Sequence, residues 1–106
     1  MSKYSHRKDL NHDAIAKCAK KCGWAIEDVH EYTDFVDQLW VRSDPYHVIF
    51  VEVKNPKGRN KLEPSQIKLH AKLRSIGCHV EVVRTELEVK AITAEFKRDN
   101  NIRECV

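Results

Sequence analysis

An acid and a base lie two residues apart at the end of an apolar segment, where Glu52 and Lys54 flank Val53. The preceding β-branched and aromatic run predicts a strand, and side chains two apart in a strand share a face. Charged side chains at the end of a buried strand must be paired, metal-bound or solvated. A plain salt bridge between Glu52 and Lys54 meets that requirement as well as a catalytic site does.

A second acid, Asp37, precedes Glu52 by fifteen residues and lies in the preceding predicted strand. If these strands pair as an antiparallel hairpin, the two carboxylates approach each other, and a divalent cation removes their repulsion. Mg²⁺ commonly uses one or two carboxylates, water and a substrate phosphate. We expect Asp37 and Glu52 to hold Mg²⁺, or Mn²⁺ in its place, with the Val53 backbone carbonyl as a further ligand. Asp34 is the rival acid, but it lies on the opposite side of the strand.

Such a metal would activate water, align it for in-line attack and neutralise charge on phosphorus. Lys54 would add a fixed positive charge beside the scissile phosphate. Hydrolysis of a phosphodiester bond needs these parts, so the three residues point to that reaction.

The elements that must position this group follow from hydrophobic periodicity. Predicted helices cover Asn11–Cys22, Gln66–Ile76 with Pro64 as first helical position, and Glu86–Phe96; predicted strands cover Trp24–Val29, Phe35–Val41, His47–Val53 and His79–Val83. The order α-β-β-β-α-β-α predicts an α/β fold, a central mixed sheet of about four strands flanked by helices. We expect a flexible N-terminus over 1–10, one domain over 11–96 and a polar C-terminal tail over 97–106.

Composition places the chain among globular proteins: it has 106 residues, of which 42% are hydrophobic and 33% charged. No apolar run approaches the ~20 residues that span a bilayer, and Met1–Asp9 lacks the apolar stretch of a signal peptide. We therefore expect a cytoplasmic protein with no membrane partner and no small-molecule cofactor. The four cysteines lack the spacing of a zinc site and are expected to be small buried side chains.

Positive charge is concentrated between Lys54 and Arg74, where seven basic residues accompany one acid, Glu63. A local positive field indicates a polyanion partner, although a solvated basic surface has the same composition. The basic residues predicted to contact nucleic acid are Lys57, Arg59, Lys61 and Lys68.

Asp37 followed by Glu52-Val53-Lys54 resembles the PD-(D/E)xK nuclease pattern. Several segments are similar to small phage-type members of the VRR-nuc group, which are related to Holliday-junction resolvases. They are Phe50–Lys54 ("F-x-E-V-K"), Leu62–Gln66 ("L-T/S-P-x-Q"), Gln66–Ala71 ("Q-x-x-x-H-A") and the strand His79–Arg84. The resemblance covers residues 11–92.

This resemblance implies a restriction-endonuclease-like core and a Mg²⁺-dependent DNA endonuclease that is structure-selective or nicking, works as a homodimer and, if phage-encoded, acts in the host cytoplasm. It makes Asp37 and Glu52 metal ligands, Lys54 the catalytic lysine and Gln66 a residue of the active site. His70 shares a helix face with Gln66 and is predicted to meet a DNA phosphate. The alternatives are a helix-capping role for Gln66 and a packing role for His70.

Two departures from the pattern bear on the site. Val36 replaces the proline that precedes the first acid, and Ala14 stands where many members carry a glutamate on the first helix. Asp13 is rotated by ~100° from that position, so a solvated acid competes with its role as a third metal ligand. Asn11 lies on the same side as Ala14 and is predicted to reach the site and the DNA. The alternative function is a DNA-binding module that does not cut.

Overall fold

Seven elements follow one another in the predicted order of the computed structural model, which describes residues 9–57 and 61–102. They are α1 (His12–Lys21), β1 (Ala25–Asp28), β2 (Gln38–Arg42), β3 (His47–Val53), α2 (Pro64–Ser75), β4 (His79–Val83) and α3 (Glu86–Asp99). Residues 1–8, 58–60 and 103–106 lie outside the described part, so most of the predicted N-terminal segment (1–10) and the predicted Arg59 contact are not described.

The strands form one four-stranded sheet in the order β1-β2-β3-β4. β1 pairs with β2 and β2 with β3 antiparallel, whereas β3 and β4 are parallel. Parallel neighbours need a crossover connection, and α2 provides it. The predicted α/β architecture with a mixed sheet is therefore confirmed.

Element boundaries differ slightly from the predicted ones. β2 begins at Gln38 instead of Phe35, because Asp34 takes a left-handed φ of 59° and turns the chain just ahead of the strand. α3 continues three residues beyond Phe96, to Asp99. Gly23 and Gly77 follow α1 and α2 with φ values of 101° and 93°, the left-handed conformation that ends helices at glycine.

The hydrophobic core fills the space between the sheet and the pair α1 and α3. Its members are Ile15, Cys18, Ala19, Trp24, Trp40, Ile49, Val51, Val53, Val83, Val89 and Phe96. Of the described cysteines, Cys18 is buried as predicted, while Cys22 and Cys78 are partly exposed. α2 covers part of the opposite face of the sheet, and the alternate side chains of β3 point toward it. Within the described residues, no helix has the length and apolar character needed to span a membrane.

Candidate active site

The register of the β2–β3 hairpin brings the two predicted metal ligands together. Gln38 is paired with Val51, and Asp37, one residue earlier, lies at the end of β3 with its carboxylate within hydrogen-bonding reach of Glu52. The Asp37 backbone N–H donates to the Val51 carbonyl at 3.0 Å. The Val53 N–H donates to Asp37 Oδ2 at 2.8 Å, which holds this carboxylate at the end of β3.

Glu52 is a buried carboxylate with a fixed orientation, being 2% exposed. Gln66 Nε2 donates to Glu52 Oε2 at 3.0 Å, and His70 Nε2 lies 3.1 Å from Glu52 Oε1. Both contacts come from α2, at positions one turn apart. The packing of α2 on β3 therefore sets the position of both carboxylate oxygens.

Burial and then the neighbouring Asp37 carboxylate raise the pKa of Glu52, Lys54 lowers it, and the net result is a pKa of about 9. Without another cation, Glu52 holds a proton at neutral pH. A divalent cation bound between the two carboxylates would replace this proton. The buried pair therefore suits a hard cation that prefers oxygen ligands.

Gln66 has both of the roles that the sequence left open. Its Oε1 accepts a hydrogen bond from the Glu63 backbone N–H at 2.8 Å, which caps the start of α2. Its Nε2 is the donor to Glu52. The side chain thus ties the first turn of the helix to the carboxylate.

His70 does not occupy the phosphate-contacting position predicted for it. Its side chain is 1% exposed, so DNA cannot reach it, and its contact is the Glu52 carboxylate. Burial lowers the pKa of His70, and the positive charges of Arg74 and Lys54 lower it further. The buried His70 side chain therefore contacts Glu52 and holds it in place.

A third acid, Asp9, interacts electrostatically with this group and was not among the residues predicted from the sequence. Burial raises the pKa of Asp9, the Lys54 charge lowers it and the Asp37 charge raises it, so its carboxylate is electrostatically coupled to both residues. Asp9 precedes α1, and its carbonyl accepts a hydrogen bond from the His12 N–H at 2.9 Å. Asp9 lies outside the periodic pattern of the helix. It also follows several other charged residues, so nothing in the sequence distinguishes it.

Asp13 lies elsewhere. It is exposed and lines a groove between α1 and α3, together with Lys17, Glu86 and Lys90. Asp37 and Glu52 line a different cleft. Ala14, the position to which the family glutamate corresponds, lines the same groove as Asp13, so neither position faces that cleft.

Asn11 reaches the site by hydrogen bonds to the backbone carbonyls of two residues that are distant in sequence. Its Nδ2 donates to the Lys54 carbonyl at 3.0 Å and to the Arg84 carbonyl at 2.8 Å. These bonds fasten the start of α1 to the ends of β3 and β4. Because both amide protons are used, Asn11 positions the Lys54 backbone and has no donor left for DNA.

The cleft is open on one side and bordered by two loops and a helix. Its lining residues are His30, Tyr32, Asp34, Phe35, Asp37, Glu52, Glu63, Ser65, Gln66 and Leu69. Asp34, the rival acid, lies on the wall of the cleft. Lys57, Lys61 and Lys68 are exposed, which leaves their ammonium groups accessible to a polyanion.

Comparison with known proteins finds a match in structure but none in sequence. No family model and no curated protein matches the sequence. A solved structure described as a VRR_NUC domain is similar, with a TM-score of 0.67 and 22% identity over 83% of this chain and 99% of that one. This chain therefore has a VRR-nuc-like fold with a restriction-endonuclease-like core.

Proposed function

We propose that this protein is a Mg²⁺-dependent endonuclease that hydrolyses phosphodiester bonds of DNA, with structure-selective or nicking activity. Mn²⁺ substitutes for Mg²⁺, and the protein works in the cytoplasm as a homodimer. The observation that carries the proposal is the buried Glu52 carboxylate, which lies beside Asp37 and two residues from Lys54. The similarity of the fold to a VRR_NUC domain supports it.

The donor set suits Mg²⁺ because it consists of hard oxygens. Asp37 and Glu52 are the proposed ligands, with the Val53 carbonyl as a further oxygen donor. Bound there, Mg²⁺ supplies Lewis-acid activation of water and neutralises phosphate charge. The pKa of Glu52, raised to about 9, supports the fit, since a cation relieves the repulsion from Asp37.

The other residues have defined tasks in this proposal. Lys54 places a positive charge beside the scissile phosphate and stabilises the charge that develops there. Gln66 and His70 hold the two oxygens of Glu52. Lys57, Lys61 and Lys68 contact phosphates on either side of the cleft and supply binding without sequence preference. Arg59 is proposed for the same role from its sequence position.

A DNA-binding module that does not cut is the second candidate. The absence of an acid from the cleft side of α1 favours it, because Asp13 lies in the groove toward α3. It differs from the first candidate in predicting DNA affinity without hydrolysis.

A cleavage panel separates the two candidates. Wild-type protein is incubated with supercoiled plasmid, single strands, nicked and flapped duplexes and four-way junctions, in Mg²⁺, Mn²⁺ or EDTA. We expect metal-dependent cleavage of at least one substrate and a loss of about 10²–10³-fold in Lys54→Ala. Lys20→Ala is the matched control, because Lys20 is exposed on α1, across the sheet from the cleft.

Two results of the same panel would contradict the proposal. If every substrate stays intact while DNA binding persists, the protein is a binding module. If Lys54→Ala cleaves at the rate of Lys20→Ala, the assignment of the site fails. Circular dichroism and thermal unfolding of both variants show that the fold is retained.

A further inference from the structure

A second group of metal-ligating side chains lies outside the carboxylate site. His12 Nε2 is 3.2 Å from Asp28 Oδ2, and His30 Nδ1 is 2.7 Å from Asp28 Oδ1. One donor atom from each of the three residues lies within 4.8 Å of the other two. Among the described residues, this is the single group of three or more such donors. The proposed nuclease mechanism gives it no task.

The fold holds two of these ligands rigidly. His12 is 2% exposed. Its backbone N–H donates to the Asp9 carbonyl, and its backbone carbonyl accepts from Gln38 Nε2 at 3.0 Å. Asp28 is the last residue of β1 and pairs with Gln38. The first turn of α1 and the end of β1 are thus fixed relative to each other through Gln38.

We propose that His12, Asp28 and His30 form a binding site for Zn²⁺ or another divalent transition metal that prefers imidazole. Two imidazoles and one carboxylate are a ligand set that such metals use, with water in the remaining position. The Asp28 side chain is 40% exposed, so solvent reaches the group. Each imidazole shifts its proton to the other ring nitrogen, and the metal takes the place of the two protons that now bridge to the carboxylate.

The dimensions suit this metal. Zn–N bonds of ~2.0–2.1 Å in a tetrahedron separate the ligand atoms by roughly 3.4 Å. The donor atoms already lie within 4.8 Å of one another, and His30, in the loop after β1, is the ligand whose shift would close the difference. A small movement of this loop therefore completes the site.

A similar cluster elsewhere lacks this convergence. His79 Nδ1 lies 2.8 Å from His47 Nε2, and His79 Nε2 lies 2.7 Å from Glu81 Oε2. Because its partners meet different nitrogens of the ring, they lie on opposite sides of His79 and cannot surround one ion. His79 and Glu81 have the same two-residue spacing as His30 and Asp28, which makes His79 a matched control.

The metal would have a structural effect on the cleft. His30 lines the cleft, together with Tyr32, Asp34 and Phe35 from the same loop. A metal that joins His30 to α1 and β1 would fasten this wall. The proposal does not depend on whether the protein cuts DNA.

Zinc titration of the full-length, metal-free protein tests the proposal. Zn²⁺ binding is followed by calorimetry under reducing conditions in excess Mg²⁺, which competes for carboxylates and weakly for imidazole. We expect one Zn²⁺ per chain, with wild-type affinity in His79→Ala. Loss of a residue that only supports a metal ligand lowers metal affinity by roughly 10–100-fold. The loss of a direct ligand in His30→Ala or Asp28→Asn should therefore lower Zn²⁺ affinity by more than about 100-fold.

Two spectroscopic readouts identify the ligands. Co²⁺ in place of Zn²⁺ should give visible d–d bands without the near-ultraviolet charge-transfer band of thiolate ligation. Amide hydrogen exchange of residues 29–36 should slow on Zn²⁺ addition to the wild type and to Glu52→Gln, and stay unchanged in His30→Ala. Absence of zinc binding, binding that survives in both His30→Ala and Asp28→Asn, or an equal loss in His79→Ala would each overturn the proposal.

Discussion

The two faces of β3 differ sharply although they belong to the same seven residues. Toward α1 and α3 the strand presents Ile49, Val51 and Val53, each at most 1% exposed and surrounded by apolar side chains. Toward α2 it presents Phe50 and then Glu52, whose buried carboxylate contacts Gln66 and His70. One face is closed by hydrophobic packing, and the other opens at its end into the cleft.

The difference shows where the fold buries a group that lowers its stability. Burying a carboxylate beside another costs free energy unless hydrogen bonds or a cation compensate. The hydrophobic face supplies the stabilising area, and the α2 face keeps a group whose pKa is raised to about 9. A local conflict of this kind is expected at functional sites.

The largest expected effect is a loss of stability from a substitution on the hydrophobic face. Ile49→Ala removes a fully buried side chain and should lower the free energy of unfolding by about 2–5 kcal/mol. Leu39→Ala on the other face should cost less, because Leu39 is only partly buried opposite Phe50. Urea unfolding monitored by tryptophan fluorescence measures both, and equal losses would show that the faces are packed alike.

A pH effect sharpens the contrast on the polar face. Because the folded pKa of Glu52 is raised from 4.5 to about 9, its contribution to stability is present below pH 4.5 and is lost as the pH rises toward 9. Without metal, the wild type should therefore lose stability relative to Glu52→Gln across this window, by up to about 1.4 kcal/mol per pH unit.

Metal binding should show the complementary trend. In the proposed site Mn²⁺ would displace the Glu52 proton, so the affinity for Mn²⁺ should rise by up to about tenfold per pH unit below the folded pKa. Parallel pH series of chemical unfolding and Mn²⁺ titration measure the two trends. If Glu52→Gln follows the wild type in the unfolding series, Glu52 is not the titrating group.

The smallest expected effect concerns the exposed lysines. Lys68→Ala should reduce the slope of log affinity for DNA against log salt by about one unit, since one phosphate contact is lost. Lys20→Ala, on the other side of the sheet, should leave the slope unchanged. Fluorescence anisotropy over a salt series measures both, and equal slopes for wild type and Lys68→Ala would place the DNA elsewhere.

Much of this architecture is readable from periodicity and end signals. The alternation of β3, the glycines after α1 and α2 and the apolar stripes of the helices specify the order of elements, because they depend on residues close in sequence. The same alternation places Glu52 and Lys54 on one face. The hairpin predicts that Asp37 approaches Glu52, since the register of two adjacent strands is also local.

Tertiary structure decided the rest, because it depends on contacts between distant segments. His70 is an ordinary helical residue in sequence, and only the docking of α2 on β3 makes it a buried partner of Glu52. Asp9 interacts electrostatically with Asp37 and Lys54 because α1 begins near the end of the sheet. His12 and His30 are eighteen residues apart and meet at Asp28 for the same reason. The sequence determined which residues could do chemistry along one strand, and packing between elements determined which others surround them.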